Sequence, residues 1–211
     1  MHVVAEPGIF YLGTPVVLVS TRNPDGTANV APFSSAWWLG WSCMLGLNGS
    51  SQTAQNIARE RQCVINVPSA DLVGYVDRLA LLTGNREMSQ YKRESGYRYE
   101  PDKFGVSGLT PVPADLVNAP LVGECPIQLE CTISRIEPFG EADPRIKSIK
   151  AVEAQVLRAH IDEHLLVPGS TKYIDPHRWK PLIMSFTEFF SLTQSIHPSL
   201  LATIFAPKEG D

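Results

Sequence analysis

The polar run Asn48-Gly49-Ser50-Ser51-Gln52-Thr53 comes directly after an apolar segment, Ser42 to Leu47. It comes directly before Ala54, Ile57 and Ala58, whose spacing starts one face of a helix. Ser50 or Ser51 is the expected N-cap, because a serine hydroxyl accepts a bond from the free N–H groups of a first helical turn. A helix N-terminus presents unpaired N–H groups and the positive end of the macrodipole, so with these hydroxyls and amides around it the junction could hold an anion, phosphate above all. The same residues read equally well as a cap and nothing more.

Other elements must hold that junction in place. Ala31 precedes Pro32, which keeps Ala31 out of the helical region, so Asn29 to Trp38 begins extended. Leu39-Gly40-Trp41 reads as a turn, and Ser42 to Leu47 as a returning strand apolar enough to be buried on both faces. Upstream, the β-branched run Val16 to Thr21 and the turn Asn23-Pro24-Asp25-Gly26 predict a hairpin into Thr27 to Val30. Downstream, the helix ends near Arg61, Cys63 to Val67 is a short strand closed by Pro68, and Ser69 is the expected N-cap of a second helix. Leu72, Val73, Val76, Leu79 and Ala80 form its apolar face, and Thr83 and Gly84 stop it. Met88 to Glu94 reads as a short helix, and residues 95–120 as a long ordered loop of the kind that covers a functional region. Ile127 to Ile136 and Ile149 to Ile161 read as a strand pair turning around Gly140 to Pro144, Lys180 to Ile183 opens a last strand, and the tail from Ser191 is weakly patterned. Short strands with hairpin punctuation and inserted helices, without βαβ alternation, predict a mainly antiparallel β-barrel. The absence of a GxGxxG or P-loop spacing argues against a Rossmann domain.

With 211 residues, 44% of them hydrophobic, the chain can bury one sizeable core, and a single domain over residues 1–211 is expected. A net charge of −4 leaves no basic footprint for nucleic acid or an anionic membrane, so a phosphate site here must be local. No apolar run approaches the roughly 20 residues of a membrane span, and the first residues lack the pattern of a signal peptide, so a cytoplasmic location is expected. Cys43, Cys63, Cys125 and Cys131 form no CxxC pair and lack histidines at zinc spacing, so buried reduced thiols are expected and no metal site.

The segments DGTANVAPFSS and TAQNIARERQCVINV resemble the opening half of the flavin reductase-like, FMN-binding split-barrel family. The family pattern runs from an aspartate-glycine turn through Asn-x-Ala-Pro-x-Ser and Thr-x-x-Asn-Ile to a strand ending in Asn-Val. Lys103-Phe104-x-x-x-Gly108-Leu109-Thr110 and Ala119-Pro120-Leu121-Val122-x-Glu124-Cys125-Pro126 continue it, giving a core over about residues 13–192 and a tail over 193–211. The resemblance implies a six-stranded antiparallel Greek-key split β-barrel with helical insertions, assembled as a homodimer with flavin at the interface. It implies an FMN-binding oxidoreductase, an NAD(P)H-dependent flavin reductase passing hydride to FMN, with FAD as an alternative flavin. A flavoredoxin-like electron carrier served by a redox partner protein, or a flavin- or small-ligand-binding protein without catalysis, are the other readings.

Carried over residue by residue, the resemblance places Asn29, Ala31, Pro32, Phe33, Ser34 and Ser35 along the isoalloxazine edge. Asn48, Ser50, Ser51, Thr53 and Asn56 fall on the ribityl chain and phosphate. His160 falls where the family often has a histidine near the flavin or nicotinamide, and a hydrogen-bonded structural histidine is the competing reading. Trp37, Trp38 and Trp41 read as stacking residues or as core and interface. One stretch departs from the pattern: after Pro181-Leu182 the family commonly has an arginine and a glycine pair before a tyrosine. Here the chain reads Ile183-Met184-Ser185-Phe186-Thr187-Glu188-Phe189-Phe190, which makes that wall apolar.

Overall fold

The computed structural model describes residues 1–143, 146, 148–197, 199 and 201. Its strands of four or more residues are β1 Leu12–Pro15, β2 Val17–Arg22, β3 Ala28–Phe33, β4 Ala36–Leu39, β5 Ser42–Asn48, β6 Gln62–Val67, β7 Ile127–Pro138, β8 Ile149–Ile161, β9 Leu182–Ser185 and β10 Glu188–Ser191. The helices used below are α1 Gln52–Glu60, α2 Val73–Asp77, α3 Gln90–Glu94 and α4 Lys103–Ser107. Among the described residues, the main antiparallel sheet has seven strands in the order β3-β2-β6-β7-β8-β5-β4, and β1-β9-β10 form a second sheet. The fold is mainly β, as expected, with one strand more than the predicted six. The short β4 pairs back onto β5 through the positive-φ turn at Gly40 and adds an edge strand.

Alternation explains how the sheet closes around a core. Val17 and Val19 of β2, Cys43, Leu45 and Leu47 of β5, Cys63 and Ile65 of β6, Cys131 and Ile133 of β7 and Val152 and Ala154 of β8 share one buried cluster. Ala54 and Ile57 of α1 reach into the same cluster. The intervening residues of β2 and β3, Leu18 and Val30, face a second core built with Leu72, Val76, Leu79, Phe104 and Leu182. β2 is therefore buried on both faces, whereas β5, expected to be so, alternates between buried and half-buried positions. Its outward residues, Ser42, Met44 and Gly46, are half-buried.

Ser51 caps α1, its hydroxyl accepting from Ala54 N–H at 3.2 Å, and Arg61 ends the helix in the left-handed conformation with φ 55°. Ser69 does not cap a second helix. Lys180 C=O accepts the Ala70 N–H at 2.9 Å, and the chain forms a 3₁₀ turn over Ala70–Leu72 before the five-residue α2. Ala80, expected on its apolar face, is exposed, while Leu72, Val76 and Leu79 are buried. The expected loop over 95–120 contains α4, capped by Asp102 Oδ1 on Gly105 N–H at 2.9 Å and ended by Gly108 at φ 78°. The expected β7–β8 hairpin forms, with Ile127 opposite Ile161. Pro144 of its turn, and residues 202–211 of the tail, lie outside the described residues. No described helix is long and apolar enough to cross a membrane. Cys43, Cys63, Cys125 and Cys131 are free thiols and buried.

Candidate functional site

The end of β3, the end of β5 and the start of α1 converge on one cavity of about 270 Å³. Ala31, Pro32, Phe33, Asn48, Ser51 and Thr53 all line it. Ser34, Ser35 and Ser50 do not. Ser50 donates from its backbone N–H and its hydroxyl to Asn48 Oδ1, at 2.9 and 2.7 Å, and so shapes the turn that delivers α1. Ser35 C=O accepts the Gly46 N–H at 2.8 Å, tying the β3–β4 corner to β5.

Asn29 and Asn56 lie behind the wall as a buried fastening between the hairpin and the helix. Asn29 Nδ2 donates to Thr21 Oγ1 at 3.0 Å and to Thr53 Oγ1 at 3.1 Å. Asn56 Nδ2 donates to the same Thr21 hydroxyl at 3.0 Å and to Asn23 Oδ1 at 2.9 Å. Thr53 thus has its hydroxyl oxygen bonded from behind and its proton left to point elsewhere. Asn29 Oδ1 is buried without a partner among the described residues and faces Gly84, where a Cβ would stand 2.9 Å from it. Only glycine lets the 82–84 segment pass this close.

The opposite wall comes from residues not individually assigned to the site from the sequence, although Tyr97 and Lys103 fall in the 95–120 segment expected to cover a functional region. It includes Leu79, Thr83 and Gly84, Tyr91 and Lys92 of α3, Tyr97, and Lys103 at the first turn of α4. Lys103 is 3% exposed and makes no hydrogen bond or ion pair among the described residues. Burial, and secondarily the charge of Lys92, lowers its pKa to about 8. Burial likewise lowers that of Lys92, whose Nζ sits 3.5 Å from Thr83 Oγ1 and 5.4 Å from the Tyr97 ring centre. The residues lining the cavity include no aspartate or glutamate. A buried, unpaired cation is costly, and here two lysines and the capped end of α1 face one cavity without a counter-charge. This arrangement fits an anion that also bonds hydroxyl and N–H groups.

His160 is placed elsewhere, on β8, with its Nε2 2.7 Å from Glu130 Oε1. Glu130, fully buried on β7, also accepts from the N–H groups of Asp115 at 3.2 Å, Leu116 at 2.5 Å and Val117 at 3.1 Å. Desolvation would raise the Glu130 pKa, but the His160 bond and the three backbone bonds outweigh it and hold the carboxyl below its ordinary value. Since an ionised carboxylate only accepts, His160 Nε2 carries the proton. Asp115, Glu130 and His160 offer three ligand atoms within 4.8 Å of one another. Asp115 is already paired with Arg158 at 2.6 Å, and both Glu130 oxygens are in use, so the cluster is filled by its own bonds. These contacts support the structural reading of His160, as part of a clamp on the 115–117 loop. A wider depression of about 880 Å³ between residues 163–171 and Arg178 contains a cation already engaged: Arg178 bonds the His164 and Leu166 carbonyls and pairs with Asp175.

The family model described as "Flavin reductase like domain" matches residues 10–193. The uncharacterized protein YdfE of Bacillus subtilis (strain 168) is 34% identical over 192 residues, covering 90% of this chain and 89% of its own. Among solved structures, flavoredoxin of Desulfovibrio vulgaris (Miyazaki F) superposes with a TM-score of 0.75 at 22% identity, covering 96% of this chain and 100% of its own. Nitrilotriacetate monooxygenase component B from Bacillus cereus superposes with a TM-score of 0.70 at 19% identity, covering 89% and 88%.

Proposed function

Because the chain belongs to the flavin reductase-like domain family, we propose that it is an oxidoreductase that binds FMN in this cavity and carries hydride from NADH or NADPH to it. The observation that supports this reading most is Lys103, a lysine 3% exposed as a residue and without a counter-ion, in a cavity that also holds Lys92 and the Ser51-capped end of α1. In this reading Lys103, Lys92, Ser51 and Thr53 hold the phosphate, and Phe33 and Pro32 flank the ring. β3 is an edge strand of the main sheet, so backbone groups along Ala31 to Phe33 have no strand partner on their outer side and are available to the ring's carbonyls and N3. When bound, the flavin supplies a ring that accepts hydride. The residues named here bind it, orient it and keep its phosphate from water, and residues 1–211 act as one flavin-binding unit. Anaerobic mixing with FMN and NADH or NADPH tests the activity. Bleaching faster than that of free FMN is expected; FMN binding without faster bleaching with either nucleotide would leave an electron carrier or a binding protein.

At about 270 Å³ the cavity lies below the usual ligand-pocket range of roughly 300 to 1,000 Å³, so one copy of the chain does not enclose a whole FMN. The β4–β5 hairpin exposes Trp37, Leu39 and Trp41 by 56%, 77% and 59%, an apolar strip that a second copy would cover. In the proposed homodimer the ring lies between the two copies. The double substitution Trp37→Asp, Trp41→Asp is expected to give a folded monomer by sedimentation and to weaken FMN in parallel. A variant that stays dimeric, or a monomer with full FMN affinity, would refute this assembly.

A further inference from the structure

We propose that the phosphate-bearing ligand enters this cavity together with one proton that settles on Lys103, so that loading and release follow pH across the weakly alkaline range. The proposal rests on reading the cavity as the flavin phosphate site.

The geometry around Lys103 sets up the coupling. From α3 it faces Lys92 and Tyr91, and from the segment after α3 it faces Tyr97. From β3, β5 and α1 it faces only neutral residues: Ala31, Pro32 and Phe33, then Asn48, then Ser51 and Thr53. The carboxylates nearest in sequence are directed to local backbone, Glu100 Oε1 accepting from Asp102 N–H at 2.9 Å and Asp102 Oδ1 from Gly105 N–H at 2.9 Å. In the free protein, then, the ammonium has burial and a like charge against it and no acceptor in its favour, which accounts for a pKa of about 8 in place of the usual 10.5. A phosphate with two negative charges reverses both effects, because it brings an opposite charge and acceptor oxygens to the same nitrogen. The bound state therefore holds the proton more firmly than the free state does.

The sign follows from linkage. Below about pH 8 Lys103 is charged with or without ligand, and binding moves no proton to it. Above about pH 8 the free site loses the proton while the complex keeps it, so each ligand bound takes one up and affinity falls as pH rises. A phosphate held only by hydroxyls, backbone N–H groups and a permanently charged side chain would show no such fall.

Titration calorimetry of FMN at pH 7 and pH 9, in buffers of different ionisation enthalpy, tests the proposal. Uptake of close to one proton per FMN is expected at pH 9 and close to none at pH 7, with Kd rising roughly fivefold to tenfold between pH 8 and pH 9. Riboflavin, which lacks the phosphate, is expected to bind without proton uptake at both values. Lys103→Arg keeps its charge throughout and is expected to abolish both the uptake and the pH dependence; Lys92→Arg is expected to keep most of both. Lys103→Met serves as a second variant that removes the titrating group altogether, and its binding is expected to be weak and flat with pH. Tight FMN binding with no proton uptake at pH 9, or uptake that persists in Lys103→Arg, would overturn the proposal while leaving the flavin site standing. Equal affinity for FMN and riboflavin at pH 7 would instead remove the reading on which it rests.

Discussion

Lys103→Met is expected to raise the melting temperature of the ligand-free protein and, in the same molecule, to weaken FMN by about ten- to a hundredfold. Two effects of opposite sign from one side chain distinguish a binding residue from a packing residue. The wild-type lysine is 3% exposed, its ammonium unpaired, and its pKa lowered from 10.5 to about 8. That shift corresponds to a cost on the order of 3 kcal/mol for keeping the folded protein charged at neutral pH. The sign is the reverse of the usual lysine case. The cost is present in full below about pH 8 and fades as pH rises from there towards 10.5, because the folded state releases its proton before the unfolded chain does. Methionine keeps most of the apolar stem and removes the charge, so the free variant gains roughly 5 °C or more at pH 7, and that advantage shrinks at pH 10. Against this, the phosphate loses a charge-assisted bond worth roughly 1.5 to 3 kcal/mol, whereas riboflavin affinity stays nearly unchanged. A variant less stable than wild type at pH 7 would show that Lys103 has a partner in solution and is not held in reserve for a ligand.

The largest stability loss is expected at Glu130, which does not line the cavity. Its carboxylate is fully buried and gathers three backbone N–H groups and the His160 Nε2–H. Glu130→Ala leaves those donors in a closed space with no acceptor, at a cost of about 3 to 5 kcal/mol, read as a shift of the denaturation midpoint in urea. The pH dependence has the ordinary carboxylate sign. With the folded pKa held below its usual value, this group's contribution is complete above about pH 4.5 and is lost as pH falls. Glu130→Gln should therefore flatten part of the acid-side loss of stability seen in wild type. If Glu130→Gln matched wild type in stability at pH 7, the carboxylate would not be the acceptor that organises residues 115–117.

How far the sequence reached is clearest by comparing particular elements. The β2–β3 hairpin was readable because Asn23-Pro24-Asp25-Gly26 is local turn chemistry, and the Ser51 cap because capping needs only the next three residues. The strand pair Ile127–Pro138 and Ile149–Ile161 was readable from alternation sustained over many residues. What escaped depends on distant parts of the chain. α4 is five residues long, too short for a helical period, and its local signs are only Asp102 at its start and Gly108 at its end. Lys103 was visible as part of a family motif, but a lysine beside one phenylalanine carries no mark of burial; the wall that buries it is made by α3 and β3. Glu130 carries no sequence mark of burial within its strand, because the cover comes from the 115–117 loop that folds over it. The family resemblance implies flavin contacts for Asn29 and Asn56, yet neither lines the cavity: Asn29 bonds Thr21 and Thr53, and Asn56 bonds Thr21 and Asn23. Residue type alone could not separate these two placements, since an asparagine suits either.

Equilibrium titration of the ligand-free protein with FMN and with riboflavin, followed by flavin fluorescence at pH 7, bears most directly on the claim that this cavity is built for a flavin phosphate. On the proposed assignment, the two lysines, two hydroxyls and the end of α1 that line the cavity would act on the phosphate alone. With bonds of roughly 1.5 to 3 kcal/mol each, FMN is predicted to bind at least about a hundredfold more tightly than riboflavin. Thr53→Ala, Lys92→Met and Lys103→Met should each narrow that gap by weakening FMN. Equal affinities for the two flavins, or a gap untouched by all three substitutions, would contradict the assignment.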